Sequence, residues 1–293
     1  MIKNDFSWLK SWEHSEYLSP DYYVKLLKPY VFNGKDDLTI FKDELNMVNS
    51  VPKSSIELGC GSGRGTEIFI NHFKHDNLSV LDLSNQMLTF TKKKYNIKKA
   101  ICSDTIDFMK TTSEKFDFVF SLWSFSHSLH QHLEKYNNIN EGKLFIKSVL
   151  NKFILNNLEI DGKLFIIHFD SQSDEQTILM RQWAKKSKIY DREGKISLSL
   201  ECIKESLSEL EKNGNITFSI NNLQGDAIIY NSEDEALETF INFHLEGIFN
   251  TMPKNKLDII FNEILTYLNK FKLNDGKLAI RPKCYTINVQ RIK

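Results

Sequence analysis

Glu57, Gly59, Gly61 and Gly63 stand in the run Ser55-Ile56-Glu57-Leu58-Gly59-Cys60-Gly61-Ser62-Gly63-Arg64-Gly65-Thr66, one acidic side chain followed by glycines at alternate positions. Such glycines let a backbone take positive φ and approach a ligand with no Cβ in the way. An acidic group just before them favours a small molecule carrying a cationic amine over a diphosphate. A dinucleotide site requires G-x-G-x-x-G. Here the final glycine position is held by Arg64 when the pattern starts at Gly59, and by Thr66 when it starts at Gly61. A phosphate-cradling P-loop ends in Gly-Lys-Ser/Thr, and this run has no lysine. A tight strand-to-helix turn without a ligand is the alternative for the turn alone.

The elements around it must place that turn at the edge of a sheet. Ser55–Leu58 reads as a strand, followed by a helix from Arg64 to Phe73. Leu78–Asp82 is a second strand, Asn85–Tyr95 a helix, Ala100–Cys102 a short third strand, and Phe116–Leu122 a fourth. Leu144–Leu158 carries apolar residues at helical spacing, and Asp161-Gly162 turns into a fifth strand, Lys163–Phe169. Alternating strands and helices predict a parallel sheet covered on both faces. Beyond residue 170, helices are expected at Thr177–Lys188, Leu200–Asn213, Glu233–Phe249 and Lys256–Phe271. Extended segments are expected at about 216–230 and at Lys283–Arg291.

The acidic-x-Gly-x-Gly-x-Gly run resembles the first motif of the class I S-adenosylmethionine-dependent methyltransferases, and the resemblance covers roughly residues 54–170. It implies an α/β, Rossmann-like, seven-stranded and mostly parallel sheet with its last strand antiparallel, flanked by helices and carrying a helical cap. On that reading residues 1–50 form an N-terminal helical lid, 51–230 with 276–293 the core, and 231–275 a cap insertion. The cofactor implied is S-adenosyl-L-methionine, and the reaction is methyl transfer to a nitrogen or oxygen of a small molecule by in-line displacement. The residues implied to hold the cofactor begin with Glu57, Gly59, Cys60, Gly61 and Gly63 of the turn. Asp82 ends the second strand, where an acidic residue accepts hydrogen bonds from ribose hydroxyls; Ser84 or Asn85 can cap the next helix, which leaves Asp82 free. Leu83 and Met87 lie in the run Leu81-Asp82-Leu83-Ser84-Asn85-Gln86-Met87-Leu88, which matches the family's usual sequence there. Ser103, Asp104 and Thr105 follow the third strand, with Asp104 against the adenine amino group, capping the next helix, or both. Ser121 and Leu122, at the end of the fourth strand, complete the set.

An acceptor nitrogen or oxygen must lose its proton. His127 follows the fourth strand at the carboxyl edge of the sheet, where open α/β folds bind ligands, and is the preferred general base; a surface or capping role is equally open. His130 and His132 read as surface or capping residues. The His127-x-x-His130-x-His132 spacing fits no usual helical zinc motif, so no metal is expected. Trp123 and Phe125 could line a pocket for a sulfonium or amine through cation–π attraction. Tyr17 and Tyr22 could belong to a lid, and His168, ending the fifth strand, is a further candidate at the substrate. For each of these, a packing role is the simpler alternative.

Formal net charge is zero, with 38 basic and 38 acidic residues, so the basic excess of a nucleic-acid binder is missing. The segment after the fourth strand, Phe120–His127, has neither the Asn/Asp-Pro-Pro-Tyr/Phe of enzymes that methylate an exocyclic adenine nitrogen nor a Pro-Cys for attack on a pyrimidine. The four cysteines form no C-x-x-C pair, which speaks against zinc sites and disulfides. No run of residues is apolar enough for a signal peptide or membrane span, so a cytoplasmic protein with a small-molecule acceptor and no membrane partner is expected. A homodimer is not indicated. The competing readings are methylation of a peptide, protein or RNA, and a non-catalytic cofactor-binding partner subunit.

Overall fold

The computed structural model describes residues 27–74, 77–241 and 254–293, with side chains from 258 onward in the last stretch. Tyr17 and Tyr22 lie outside the described residues. Seven strands form one sheet: β1 (Ser55–Leu58), β2 (Leu78–Asp82), β3 (Lys99–Cys102), β4 (Phe116–Leu122), β5 (Leu158–Phe169), β6 (Ile216–Gln224) and β7 (Lys283–Arg291). Their order across the sheet is β3-β2-β1-β4-β5-β7-β6. Strands β1 to β5 are parallel, and β7 runs antiparallel to both β5 and β6. This is the architecture the sequence led us to expect. The strand order reverses between β1 and β4, and a ligand crevice opens at the carboxyl ends of such a pair.

The helices are α1 (Asp37–Asn46), α2 (Arg64–Phe73), α3 (Asn85–Tyr95), α4 (Thr105–Thr111), α5 (Phe125–Leu133), α6 (Ile139–Asn157), α7 (Asp174–Ala184), α8 (Leu198–Lys212), α9 (Glu233–Thr239) and α10 (Lys254–Leu268). Period-two alternation sends neighbouring residues of β4 into different cores. Phe118 and Phe120 face α1 and α2, while Val119 faces the layer of α4, α5, α6 and α8. On the first face Phe41 stacks on Phe120 at 4.6 Å and Phe69 stacks on the same ring at 5.5 Å. Burying such side chains stabilises by about 1.5–3 kcal/mol each, and here it locks α1 and α2 over β1 and β4, next to the crevice. Among the described residues no helix is long and apolar enough to cross a membrane.

Helix ends shift by a few residues, α6 starting at Ile139 rather than Leu144 and α7 ending at Ala184 rather than Lys188, and two strand boundaries differ more tellingly. The fifth strand starts at Leu158 rather than Lys163. Asp161 takes φ +65° and the pairing with β4 shifts between Phe116 and Phe118, so the Asp-Gly turn is absorbed as an irregularity within the strand. The sixth strand stops at Gln224, not at 230. Ile228–Tyr230 instead pairs antiparallel with Leu278–Ile280 in a separate ribbon. The cause is a corner between Gly225 and Pro282. Proline has no N–H with which to continue a ladder, Gly225 N donates to Pro282 O at 2.8 Å, and a Cβ on Gly225 would lie 2.6 Å from the proline ring. The ribbon, α7, α9 and α10 share a third apolar cluster around Ile178, Leu237, Phe240, Ile264 and Leu278.

Candidate functional site

The crevice at the β1/β4 switch holds a cavity of about 450 Å³. Its floor is the glycine turn. Gly59 and Cys60 donate their N–H groups to Leu81 O at 2.8 and 2.9 Å, which pins the turn to the end of β2. Gly59 takes φ +77°, and a Cβ there would sit 1.9 Å from Ser124 Oγ. Gly61, at φ +50°, would meet nothing within 4 Å, so its face is open to the cavity. Gly61 N donates to Asp82 Oδ2 at 2.8 Å.

Asp82 therefore does more than expected. Ser84 does cap α3, accepting from Met87 N at 3.3 Å, but Asp82 is not left free. Its Oδ2 clamps the glycine turn and its Oδ1 accepts from Ser84 N at 2.8 Å. A carboxylate oxygen has two lone pairs, so each can still accept from a ligand. Glu57 lies in β1 with its carboxyl at the cavity and only 2 % exposed. Thr66 Oγ1 donates to its Oε2. Burial pushes the Glu57 pKa from 4.5 up to about 8; the Thr66 hydroxyl opposes the rise, and nearby Asp82 adds to it.

Asp104 closes the other end. It caps α4, with Oδ1 accepting from Ile106 N at 2.7 Å and Asp107 N at 3.1 Å, and the same oxygen lies 2.8 Å from His132 Nε2. His132 is buried, not a surface residue. With Asp107 these groups put three possible metal-ligand atoms within 4.8 Å of one another; the His132–Asp104 contact is by itself a hydrogen bond. Leu83, Met87, Ser103, Thr105 and Leu122 also border the cavity, as does Cys60. Gly63 sits one step back, packed against Tyr95 and Thr91 as N-cap of α2. Ser121 faces elsewhere: it is fully buried and donates to Leu58 O at 2.6 Å, tying β4 to β1.

The far wall is the start of α5. Residues Ser124, His127, Ser128 and Gln131, at helical spacing, line the cavity together with Trp123. His127 is exposed and opens onto the cavity, and desolvation by the surrounding wall holds its pKa below the usual 6.5. His130 points the other way, against the Tyr190 ring at 5.1 Å, and burial first, then His168 and His127, drives it down to about 3. His168 is not at the cavity. Its Nδ1–H donates to Phe169 O at 2.6 Å and its Nε2 accepts from Ser199 Oγ at 3.0 Å, and burial brings it to about 4. Phe125 packs in the core between α5 and the sheet. Both were expected near the substrate; His168 pairs with Tyr285 of β7 and its ring is held against Ser199, and the first turn of α5 turns Phe125 into the core.

Sequence reasoning missed Asp37. It is completely buried, accepts two hydrogen bonds from the Arg64 guanidinium at 2.8 Å each, and accepts one from Trp123 Nε1 at 2.8 Å. Trp123 has φ +71°, a conformation that bulky residues avoid. Asp37 and the rings of Tyr30, Phe32 and Phe169 around the indole hold it there. Asp37 stands in the first turn of α1 and looks like an ordinary helix-start acid. Only its tertiary partners reveal the role.

Residues 56–139 match the family model described as a methyltransferase domain. One curated relative, malonyl-[acyl-carrier protein] O-methyltransferase 2 of Ilyobacter polytropus, is 28% identical over 123 residues. That match takes in 40% of this chain and spans less than half, 45%, of the relative. Among solved structures, a Bacillus halodurans protein assigned to the methyltransferases superposes with TM-score 0.50 at 13% identity, covering 87% of this chain and 98% of its own. The YcgJ protein from Bacillus subtilis does so with TM-score 0.50 at 12% identity and the same coverages. With the β3-β2-β1-β4-β5-β7-β6 sheet and the glycine turn at its switch point, the chain has the class I, Rossmann-like methyltransferase fold, and residues 56–139 are similar to a methyltransferase domain.

Proposed function

We propose that the protein transfers the methyl group of S-adenosylmethionine to a nitrogen or oxygen of a small-molecule acceptor. The observation that carries this reading is the set of three carboxyl groups, Glu57, Asp82 and Asp104, bordering one cavity whose glycine floor is open at Gly61. The set suits a ligand with an amine at one end, vicinal hydroxyls in the middle and an amino-bearing ring at the other. Arg64, the cation in the cavity wall, is committed to Asp37, so the site offers little to a diphosphate.

When bound, the cofactor supplies a sulfonium methyl that leaves behind a neutral thioether. Glu57 would accept from the cationic amine, Asp82 from the ribose hydroxyls through its remaining lone pairs, and Asp104 from the adenine amino group. Trp123 and Leu122 exclude water from the cavity's apolar side. His127, at the cavity wall, can take a proton from an acceptor amine or hydroxyl at its ring nitrogen. We assign the lobe built from the ribbon, α9 and α10 the role of a cap that selects the acceptor.

Calorimetric titration with S-adenosylmethionine and S-adenosylhomocysteine tests the first link. Micromolar binding is expected, and binding of neither overturns the assignment. A metabolite extract screened with labelled cofactor then identifies the acceptor. An amine or hydroxyl sheds a proton on methylation and a carboxylate does not. His127→Ala is therefore expected to lower turnover by about 10²-fold or more on the former; unchanged turnover there removes His127 as base.

A further inference from the structure

We infer that His132 is a positioning residue for the cofactor's purine: it holds the Asp104 carboxylate in the orientation that reads the 6-amino group. This rests on the methyltransferase reading above.

Capping α4 uses two backbone amides, those of Ile106 and Asp107, and both reach Asp104 Oδ1. A cap needs no more. Yet a third donor arrives from another element, 28 residues away in the chain, and binds the same oxygen. Lys135 Nζ is 3.4 Å from His132 Nε2, longer than the 2.8 Å contact to Asp104, so Nε2–H is the donor to the carboxylate. The imidazole cannot swing away. Its side chain is 5 % exposed, and its ring stacks on Phe145 of α6 at 6.2 Å with 16° between planes. All three bonds described fall on Oδ1. The carboxylate is therefore fixed about its own axis by donors from two separate elements, and Oδ2 receives no bond among the described residues. Asp104 borders the cavity, so this oxygen is the acceptor left for a ligand amino group. Without His132, only two amides from the head of α4 oppose rotation of the carboxylate about its terminal bond, which is a broad torsion.

The inference separates recognition of the purine from general affinity. S-inosylhomocysteine carries a carbonyl where S-adenosylhomocysteine carries the 6-amino group, replacing a donor by an acceptor opposite Asp104. Titration calorimetry of the full chain should give a preference for the adenosyl ligand of about tenfold or more. His132→Phe keeps a ring on Phe145 and removes the donor. It should weaken the adenosyl ligand by about three- to tenfold, leave the inosyl ligand nearly unchanged, and so shrink the preference. His132→Gln, which restores an N–H, should recover most of it. A preference in His132→Phe equal to the wild type's overturns the inference, because a merely structural role would weaken both ligands alike. A wild-type protein that binds both equally also overturns it. Binding of neither ligand by the wild type is a different result and refutes the methyltransferase reading instead. If His132→Phe does not fold, judged by its melting curve, His132→Met carries the same comparison.

Discussion

Replacing Glu57 by Gln should make the unliganded protein more stable and the cofactor complex weaker. In the fold, burial raises the Glu57 pKa from 4.5 to about 8. The sign follows. Below pH 4.5 the carboxyl is protonated in both folded and unfolded chains and costs nothing. As pH rises from 4.5 toward 8 the unfolded chain ionises while the buried group stays protonated, so stability is lost progressively across that window. The cost amounts to about 1 kcal/mol at pH 5 and about 3 kcal/mol at pH 7. Glutamine has the same shape, can accept from Thr66 Oγ1 and does not ionise, so the variant escapes this loss. Urea unfolding of both proteins at the two pH values measures it, with the stability difference growing by about 2 kcal/mol between pH 5 and pH 7. A difference independent of pH would refute the assignment of this penalty to Glu57. Cofactor binding should run the other way. Losing a charge-assisted bond to the amine costs about 1.5–3 kcal/mol, or about ten- to a hundredfold in affinity. A cationic amine beside Glu57 would also ionise it, so wild-type binding at pH 7 should release about one proton, seen as a buffer-dependent enthalpy, and Glu57→Gln should release none.

Other substitutions test the rest of the site. Gly59→Ala puts a Cβ 1.9 Å from Ser124 Oγ at φ +77°; a loss of about 2 kcal/mol in urea unfolding is expected, together with loss of cofactor binding. Asp82→Ala leaves the Gly61 and Ser84 amides unpaired, and S-adenosylhomocysteine affinity should fall by more than about tenfold; full affinity in a titration would remove the ribose role. Asp37→Ala strands the Arg64 guanidinium and the Trp123 indole N–H in the interior, and denaturation should report a loss of about 3 kcal/mol.

The sheet was legible because β1, β2 and β4 are short apolar runs ended by turn residues or acids, and β7 alternates along its length. The resemblance implied only that β7 runs antiparallel; its place and register between β5 and β6 were not read. The break at Gly225 was not read, since glycine next to an extended run looks like part of it until Pro282 is known to oppose it. At the site, residues whose role is set by local backbone were readable: the glycines, Ser84 as cap, and Asp104 at the head of α4. The misjudged residues owe their place to contacts far along the chain. Asp37 pairs with Trp123 across 86 positions, His132 with Asp104 across 28, and His168 with Ser199 across 31. Helical phase also decided two cases: one turn of α5 sends His127 to the cavity and Phe125 to the core.

The place of β7 has a consequence for how the protein is made. This strand, 283–291, pairs with β5 through Gln290↔Lys163 to Cys284↔Phe169, and with β6 along its whole length. A ribosome delivers it after both of the strands it separates. Until then β5 has one open edge and β6 has no partner in the sheet, a state prone to pairing with other chains. The glycine turn, Asp82 and Asp104 all belong to the half that can close early, whereas β6 joins the sheet only through a strand threaded between it and β5. The strands that carry the glycine turn, Asp82 and Asp104 are thus paired with one another without β7, which fills the gap between β5 and β6.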